Sequence, residues 1–401
     1  MKKKSSFFVA LLVLLCINSK AQEPLVFAIN AVALEKSKSR INAKDPLITP
    51  AYKQLIKDAD KALDFAPVSV MEKKNDPPSG NKHDYMSLAP YFWPNPATAN
   101  GLPYIRKDGQ TNPEVKEYND KEYMPKLCEV VNTLGLAYYF SGENKYAEHA
   151  AHLLRVWFLD TATKMNANLN FAQAIKGTND GRGAGLIDSR HFIKVTDAIG
   201  LIQTSKYWTV KDQLGMKQWF ADFLNWMQTS KNGIDEMNAK NNHGDWYDAQ
   251  RLSMALFIGN TNLAKKIVLN AQDRLDKQMD DTGMFPLEME RTTSLHYTVF
   301  AMEAFFYIAQ MSEKTNIDFW NYNSPSGKSL KKAFDALYPY LSKEKTWAGT
   351  QIKQFDFEEA YPLLIAGAKK MDCKKCVAVV KDIAVEKAAR LRIKLLTDIN
   401  F

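Results

Sequence analysis

A chain of 401 residues, 46% of them hydrophobic, is long enough to bury a substantial core, either as two average domains or as one large helical one. Its formal net charge of +8 is not gathered into a dense basic stripe, which argues against a nucleic-acid partner.

The first twenty-one residues read as an export signal. Lys2-Lys3-Lys4 supplies the charged start, and the apolar run from Phe7 to Leu15 is too short to span a bilayer comfortably. Ser19-Lys20-Ala21 offers a small-x-small cleavage site, so the mature chain is expected to begin near Gln22, in a periplasm or outside the cell. Cys16 raises a lipoprotein alternative, weakened by Leu14-Leu15 where a small residue would be needed. Losing the four lysines of this segment lowers the net charge from +8 to +4, a mild surplus that suits an anionic polymer without requiring one. No later apolar run approaches transmembrane length. The remaining cysteines are Cys128, Cys373 and Cys376, an odd count that argues against a disulfide framework. Cys373-Lys-Lys-Cys376 lacks the second Cys or His pair of a zinc site and is predicted to be a local disulfide between two helices.

Apolar residues recur at helical spacing through most of the mature chain, and alternating strand-like runs are scarce. Helices are predicted near 26–41, 50–64, 114–140, 144–159, 189–205, 211–230, 246–258, 261–279, 294–311, 328–341, 356–369 and 376–396. A weak rhythm joins them: Tyr138-Tyr-Phe-Ser-Gly142, Leu256-Phe-Ile-Gly259 and Leu364-Ile-Ala-Gly367 each end an apolar helix at glycine, and an amphipathic helix follows. Helical hairpins of this kind stack side by side, and in a long chain they can curl into a toroid or run on as an open solenoid.

Two stretches interrupt the helices. Residues 66–113 are rich in Pro, Gly and Asn, yet carry the aromatic run from Tyr85 through Trp93. Rings at that density predict an ordered wall or lid, on which Tyr85 and Trp93 would contact sugar rings. Residues 160–188 hold the glycine cluster Gly177-Thr-Asn-Asp-Gly-Arg-Gly-Ala-Gly185, which lacks the strand-before, helix-after setting of a phosphate loop. No linker divides the chain into independent domains.

The candidate chemistry sits where helices begin. Asn241-Asn242-His243-Gly244-Asp245-Trp246 precedes one predicted helix, with more polar groups than a cap needs. Arg291-Thr-Thr-Ser-Leu-His296-Tyr297 opens another, and Asp188-Ser-Arg190-His191 a third. On a toroid these entries would meet around one end, so Arg190, His191 and Trp246 join Tyr85 and Trp93 as candidate substrate-binding residues. His149 and His152 fall inside a helix, where packing or surface roles explain them. No pair of ligands has the spacing of a zinc site, so a reaction without metal or cofactor is expected.

The combination Asn-Asn-His-x-x-Trp before a helix, then Arg and His-Tyr downstream, resembles the alginate lyase superfamily of (α/α) toroid polysaccharide lyases. The run from Tyr85 to Pro94, with Asp108-Gly-Gln-Thr-Asn-Pro-Glu114, is most similar to polysaccharide lyase family 38, which includes alginate and glucuronan lyases. The resemblance covers roughly residues 80 to 310. It implies an all-α fold, an incomplete (α/α) toroid forming a single catalytic domain, and an anionic polysaccharide as partner. It also implies that Asn242 and Arg291 hold the substrate carboxylate, that His243 assists, and that Tyr297 is catalytic acid and base. Arg190 or Arg251 could replace Arg291 in that scheme.

In such a β-elimination the proton on C5 of a uronate must leave, and neutralising the adjacent carboxylate stabilises the charge that grows there. A phenol acting as base and then donating to the departing O4 needs both atoms on one face of the sugar. That syn geometry fits mannuronate or glucuronate, whereas guluronate would favour His243 as base. Two other readings stand beside this one. A glycoside hydrolase would need two flanking carboxylates, for which Asp180, Asp188, Asp245, Glu288 and Glu290 are available. A non-catalytic glycan-binding protein would grip polymer and leave its length unchanged.

Overall fold

The polypeptide condenses into helices wherever the apolar spacing is helical: α1 (Ala31–Asn42), α2 (Thr49–Ala62), α3 (Asp120–Ser141), α4 (Asn144–Leu154), α5 (Phe192–Ile202), α6 (Val210–Thr229), α7 (Lys231–Met237), α8 (Asn242–Ile258), α9 (Thr261–Gln278), α10 (Pro286–Met289), α11 (Ser294–Ser312), α12 (Leu330–Leu341), α13 (Tyr361–Lys370), α14 (Cys376–Lys381), α15 (Val385–Arg390) and α16 (Ile393–Thr397). This computed structural model describes residues 23–382 and 385–400, so the export signal, with Cys16, lies outside the described residues.

The helices alternate between two layers. α3, α5, α8, α11 and α13 each touch the next and form an inner ring, while α4, α6, α9 and α12 pack outside it. Burial follows the layer. α5 and α8 are buried on nearly every face, whereas α9 buries one stripe through Ala264, Ile267, Val268, Ala271 and Leu275. The result is an incomplete (α/α) toroid whose apolar core runs on from Phe27 to Val380. Among the described residues no helix is long and apolar enough to cross a membrane.

The turns confirm most of the glycine rhythm and correct one member of it. Gly142 and Gly259 end α3 and α8 in the left-handed conformation, at φ of +74° and +84°. Gly367 ends nothing: it lies inside α13, where a Cβ would stand 2.3 Å from the Phe334 ring. Other boundaries also move. The predicted helix over 189–205 is a 3-10 segment (Gly183–His191) running into α5. The predicted helix over 376–396 is broken into α14, α15 and α16. Cys373 and Cys376 form a disulfide between the end of α13 and the start of α14, and Cys128 is free and buried.

The aromatic segment is ordered by two short sheets. β1 (Met86–Leu88) pairs in parallel with β4 (Phe171–Ala174), and β2 (Phe92–Trp93) pairs antiparallel with β3 (Ile105–Arg106). The β1–β4 pair joins the two irregular stretches, whose residues meet the starts of α3, α8 and α11 and the approach to α5.

Candidate active site

The inner helices α3, α8 and α11 and the approach to α5 bring Lys121, Asn242, His243, Tyr297 and Arg190 to a cavity of about 560 Å³. The irregular segments complete its wall with Tyr91, Phe92, Arg106, Gln173 and Arg182. Helix N-termini carry partial positive charge, so the placement reinforces a cationic lining.

The asparagine and histidine lie within the first turn of α8, four residues earlier than the predicted start. Each has a buried carboxylate behind it. Asn242 donates from its backbone N–H to Glu288 Oε1 at 2.6 Å, and from Nδ2 to the two carboxylate oxygens at 3.0 and 2.9 Å. His243 Nδ1 meets Glu236 Oε1 at 2.7 Å, which leaves Nε2 as the ring nitrogen for the cavity. Gly244 is not a flexible element, because a Cβ there would meet Arg274 Nη1 at 2.1 Å and the Ala239 carbonyl at 2.3 Å. Glycine is what lets Arg274 reach across the start of α8 to Asp248.

Asn242 Oδ1 is buried without a partner. Burial raises the Glu288 carboxyl above its ordinary range, against the opposing pull of its Asn242 hydrogen bonds. Both Nδ2 hydrogen bonds are thus directed at Glu288, and Oδ1 is the amide atom left over.

On α11, the Tyr297 hydroxyl is 3.0 Å from the Tyr91 hydroxyl, and the Arg291 guanidinium lies 3.6 Å over the Tyr297 ring. Burial pushes the Tyr297 phenol upward, Tyr91 adds to this, and Arg291 opposes it. Arg291 is itself held by Asp108, with Nη2 2.7 Å from Oδ1 and Nε 3.2 Å from Oδ2. Burial raises the Asp108 carboxyl, but Arg291 and the Thr292 backbone outweigh it and hold the group well below the usual range. Across the cavity, Asp188 is fully buried and saturated. It accepts from Lys121, from Gln173 Nε2 at 3.0 Å, from Ser87 at 2.8 Å and from Tyr85 at 3.1 Å. Among the described residues no three His, Cys, Asp or Glu side chains converge as a metal-ligand set.

Residues 69–347 match the sequence model of a family described as alginate lyase. The chain belongs to the alginate lyase family. It is similar to the crystal structure of an alginate lyase from Bacteroides ovatus, with 42% identity and a TM-score of 0.88 over 93% of this chain and 98% of that one. Alginate lyase A1-III from Sphingomonas species A1 resembles it in fold, with a TM-score of 0.59 at 15% identity, over 94% of this chain and 96% of that one. A variant of A1-III complexed with a tetrasaccharide gives the same TM-score of 0.59 at 14% identity, over 94% and 96% of the two chains. No curated protein matches the chain. The protein is therefore a polysaccharide lyase.

For this lyase the fold sorts the sequence candidates. Asn242, His243, Arg291, Tyr297 and Arg190 share the cavity. Tyr85 does not: it has no exposed surface, because residues 84–89 are buried where β1 pairs with β4. Its position at the cavity is taken by Tyr91. Trp93 also faces elsewhere, donating to the Gln110 carbonyl at 2.9 Å, since successive residues of a strand point to opposite sides and Phe92 takes the cavity side. Trp246 is core, its ring tilted 33° against that of Phe300 at 4.9 Å and its indole N–H donating to the Phe300 carbonyl at 3.1 Å. His191 lies outside the lining, and burial, with Arg190 and Lys194 beside it, drives its imidazole down to about 3. Arg251 is buried beside Asp248 and is not an alternative to Arg291.

Several residues of the cavity and its supports escaped the sequence reading. Tyr91 stood inside the aromatic run, and Arg182 inside the glycine cluster, but nothing in the local pattern singled them out. Glu236 precedes the Asn-Asn-His motif by only five residues and carries no helix-cap or spacing signal.

Proposed function

We propose that this lyase cleaves alginate by β-elimination, with Tyr297 as base and then acid, and with a preference for mannuronate. One observation carries the reading: a phenol, an imidazole and an amide converge in one cavity among five Lys and Arg side chains, without two free carboxylates. The substrate class follows from the family, whose Bacteroides ovatus relative at 42% identity is named an alginate lyase.

In this scheme Asn242 and the cavity arginines hold the carboxylate beside C5, lowering the cost of the enolate-like charge. Tyr297 sits at the positive face of Arg291, which offsets part of the burial that would keep its phenol protonated. It takes the C5 proton and returns one to O4 on the same face of the ring, so syn elimination of mannuronate needs only one residue. His243, oriented by Glu236, lends Nε2 where the proton lies on the other face, as in guluronate. The hydrolase reading loses its footing. Of its candidate acids only Asp188 lines the cavity, and all of its hydrogen-bonding capacity is spent.

A substrate too large to cross a membrane suits an exported enzyme, periplasmic or secreted, as the N-terminal segment suggests. The deciding experiment incubates purified protein with polymannuronate, polyguluronate, glucuronan and hyaluronan, and follows ultraviolet absorbance of the unsaturated product. Fastest growth on polymannuronate supports the proposal. Fastest growth on glucuronan would reassign the substrate, and shortening without absorbance would reassign the reaction.

A further inference from the structure

We propose that Arg182, steadied by Gln173, is the receptor for the carboxylate of the uronate next to the one that reacts. The inference rests on the uronan reading above and adds a second anion site to it.

The five cations of the cavity divide by their partners. Arg106 and Arg291 share Asp108, and Lys121 is paired with Asp188. Arg182 and Arg190 have no ion pair among the described residues. Arg190 at least gives Nη1 to the Ile187 carbonyl at 3.1 Å. Arg182 donates Nη2 to the Gln173 side-chain oxygen at 2.8 Å, lies 5.2 Å over the Phe92 ring, and keeps a buried Nε with no partner at all. The carboxylates that act on it at a distance, Glu236 and Asp188, are already spent on His243 and Lys121. A guanidinium taken out of water without a carboxylate is costly, and its own desolvation pulls its pKa down from the ordinary value. A half-satisfied cation lining an open cavity is an arrangement completed by an anion.

Gln173 shows that the position of Arg182 is built rather than incidental. It adopts a left-handed backbone, φ +51°, inside the short strand β4, a conformation that costs a non-glycine residue energy. Three contacts hold it there. Its N–H donates to Ser87 Oγ at 2.8 Å, its Nε2 to Asp188 Oδ1 at 3.0 Å, and its Oε1 faces Arg182. The strain therefore fixes a neutral acceptor against one edge of the guanidinium and leaves another edge free.

Location gives the site its role. Asn242 and His243 come from α8, Tyr297 from α11 and Arg291 from the turn just before it, whereas Arg182, Gln173 and Lys121 come from the β4 segment and α3. A uronan carries a carboxylate on every ring, so two cationic walls facing one cavity fit two successive residues.

The test measures binding apart from turnover. Oligouronates are titrated by calorimetry into Tyr297→Phe protein with and without Arg182→Gln, and steady-state kinetics are run on Arg182→Gln, Arg182→Lys and Gln173→Ala in the wild-type background. Removing a charged hydrogen-bond donor should weaken oligouronate binding and raise KM by roughly tenfold to a hundredfold, with kcat changing by only a few-fold. Arg182→Lys keeps the charge but loses the planar fork, so an intermediate rise is expected, and it also serves if the glutamine variant folds poorly. Gln173→Ala should move KM in the same direction by less. Equal oligouronate affinity with and without Arg182→Gln, or a loss confined to kcat, overturns the assignment. Absence of unsaturated product from the wild-type enzyme on every uronan would instead refute the lyase chemistry, and the calorimetric comparison still decides the anion site.

Discussion

Tyr297→Phe separates chemistry from folding more cleanly than any other change. The substitution deletes one oxygen, whose hydrogen-bond partner is the Tyr91 hydroxyl at 3.0 Å, and keeps the ring over which Arg291 lies at 3.6 Å. Losing one neutral hydrogen bond costs about 0.5 to 1.5 kcal/mol. In a chain of this size that lowers the melting temperature by only about 2 °C. Removing a positioned acid or base costs on the order of a hundredfold to ten-thousandfold, or about 3 to 5 kcal/mol of barrier, and a residue doing both jobs belongs at or beyond the upper end. The variant should therefore melt almost normally, bind oligouronate, and lose nearly all growth of ultraviolet absorbance on polymannuronate. Retention of more than about a tenth of the wild-type rate lies outside that range and would refute the role. The phenol to examine next would be Tyr91, the other hydroxyl in the cavity, since Tyr85 and Tyr247 are fully buried.

Other expectations follow from the same geometry. Asp108→Ala removes the carboxylate that holds Arg291 and should cost about 1 to 3 kcal/mol of stability together with kcat/KM; kinetics indistinguishable from wild type would show that Arg291 needs no such anchor. Glu236→Gln keeps a polar neighbour for His243 but not its charge, and should slow guluronate cleavage more than mannuronate cleavage, measured on the two homopolymers. Because burial raises the Tyr297 phenol, kcat/KM should climb as pH rises through neutrality, and a rate falling over that interval would count against a phenolate base. His191 titrates near 6.5 unfolded and about 3 in the fold, so the unfolded state takes up the proton between those values. Its contribution to stability is full above about 6.5 and is lost as pH falls toward 3. Between neutrality and about pH 4.5 the wild type should lose up to about 2 kcal/mol more than His191→Gln in urea titrations, and parallel losses would contradict this.

The sequence by itself determined most of the helices and their order, because apolar residues recur at helical spacing through most of the chain and glycine marks the ends of α3 and α8. It also placed Asn242, His243, Arg291 and Tyr297 near helix starts, where polar groups exceed what capping requires. Only the tertiary structure decided which rings and charges reach the cavity. Tyr85, Trp93 and Trp246 have the composition of a sugar platform, yet β-pairing and the α8–α11 contact turn them inward or away, and composition holds no record of facing. The carboxylates Asp108, Glu236 and Glu288 are likewise ordinary surface-type residues in one dimension. They become the supports of Arg291, His243 and Asn242 because packing buries Glu236 and Glu288 and half-buries Asp108, and a charge taken out of water must find a partner wherever the fold provides one. Arg182, left without such a partner, could be recognised as unpaired only after every other charge had been placed.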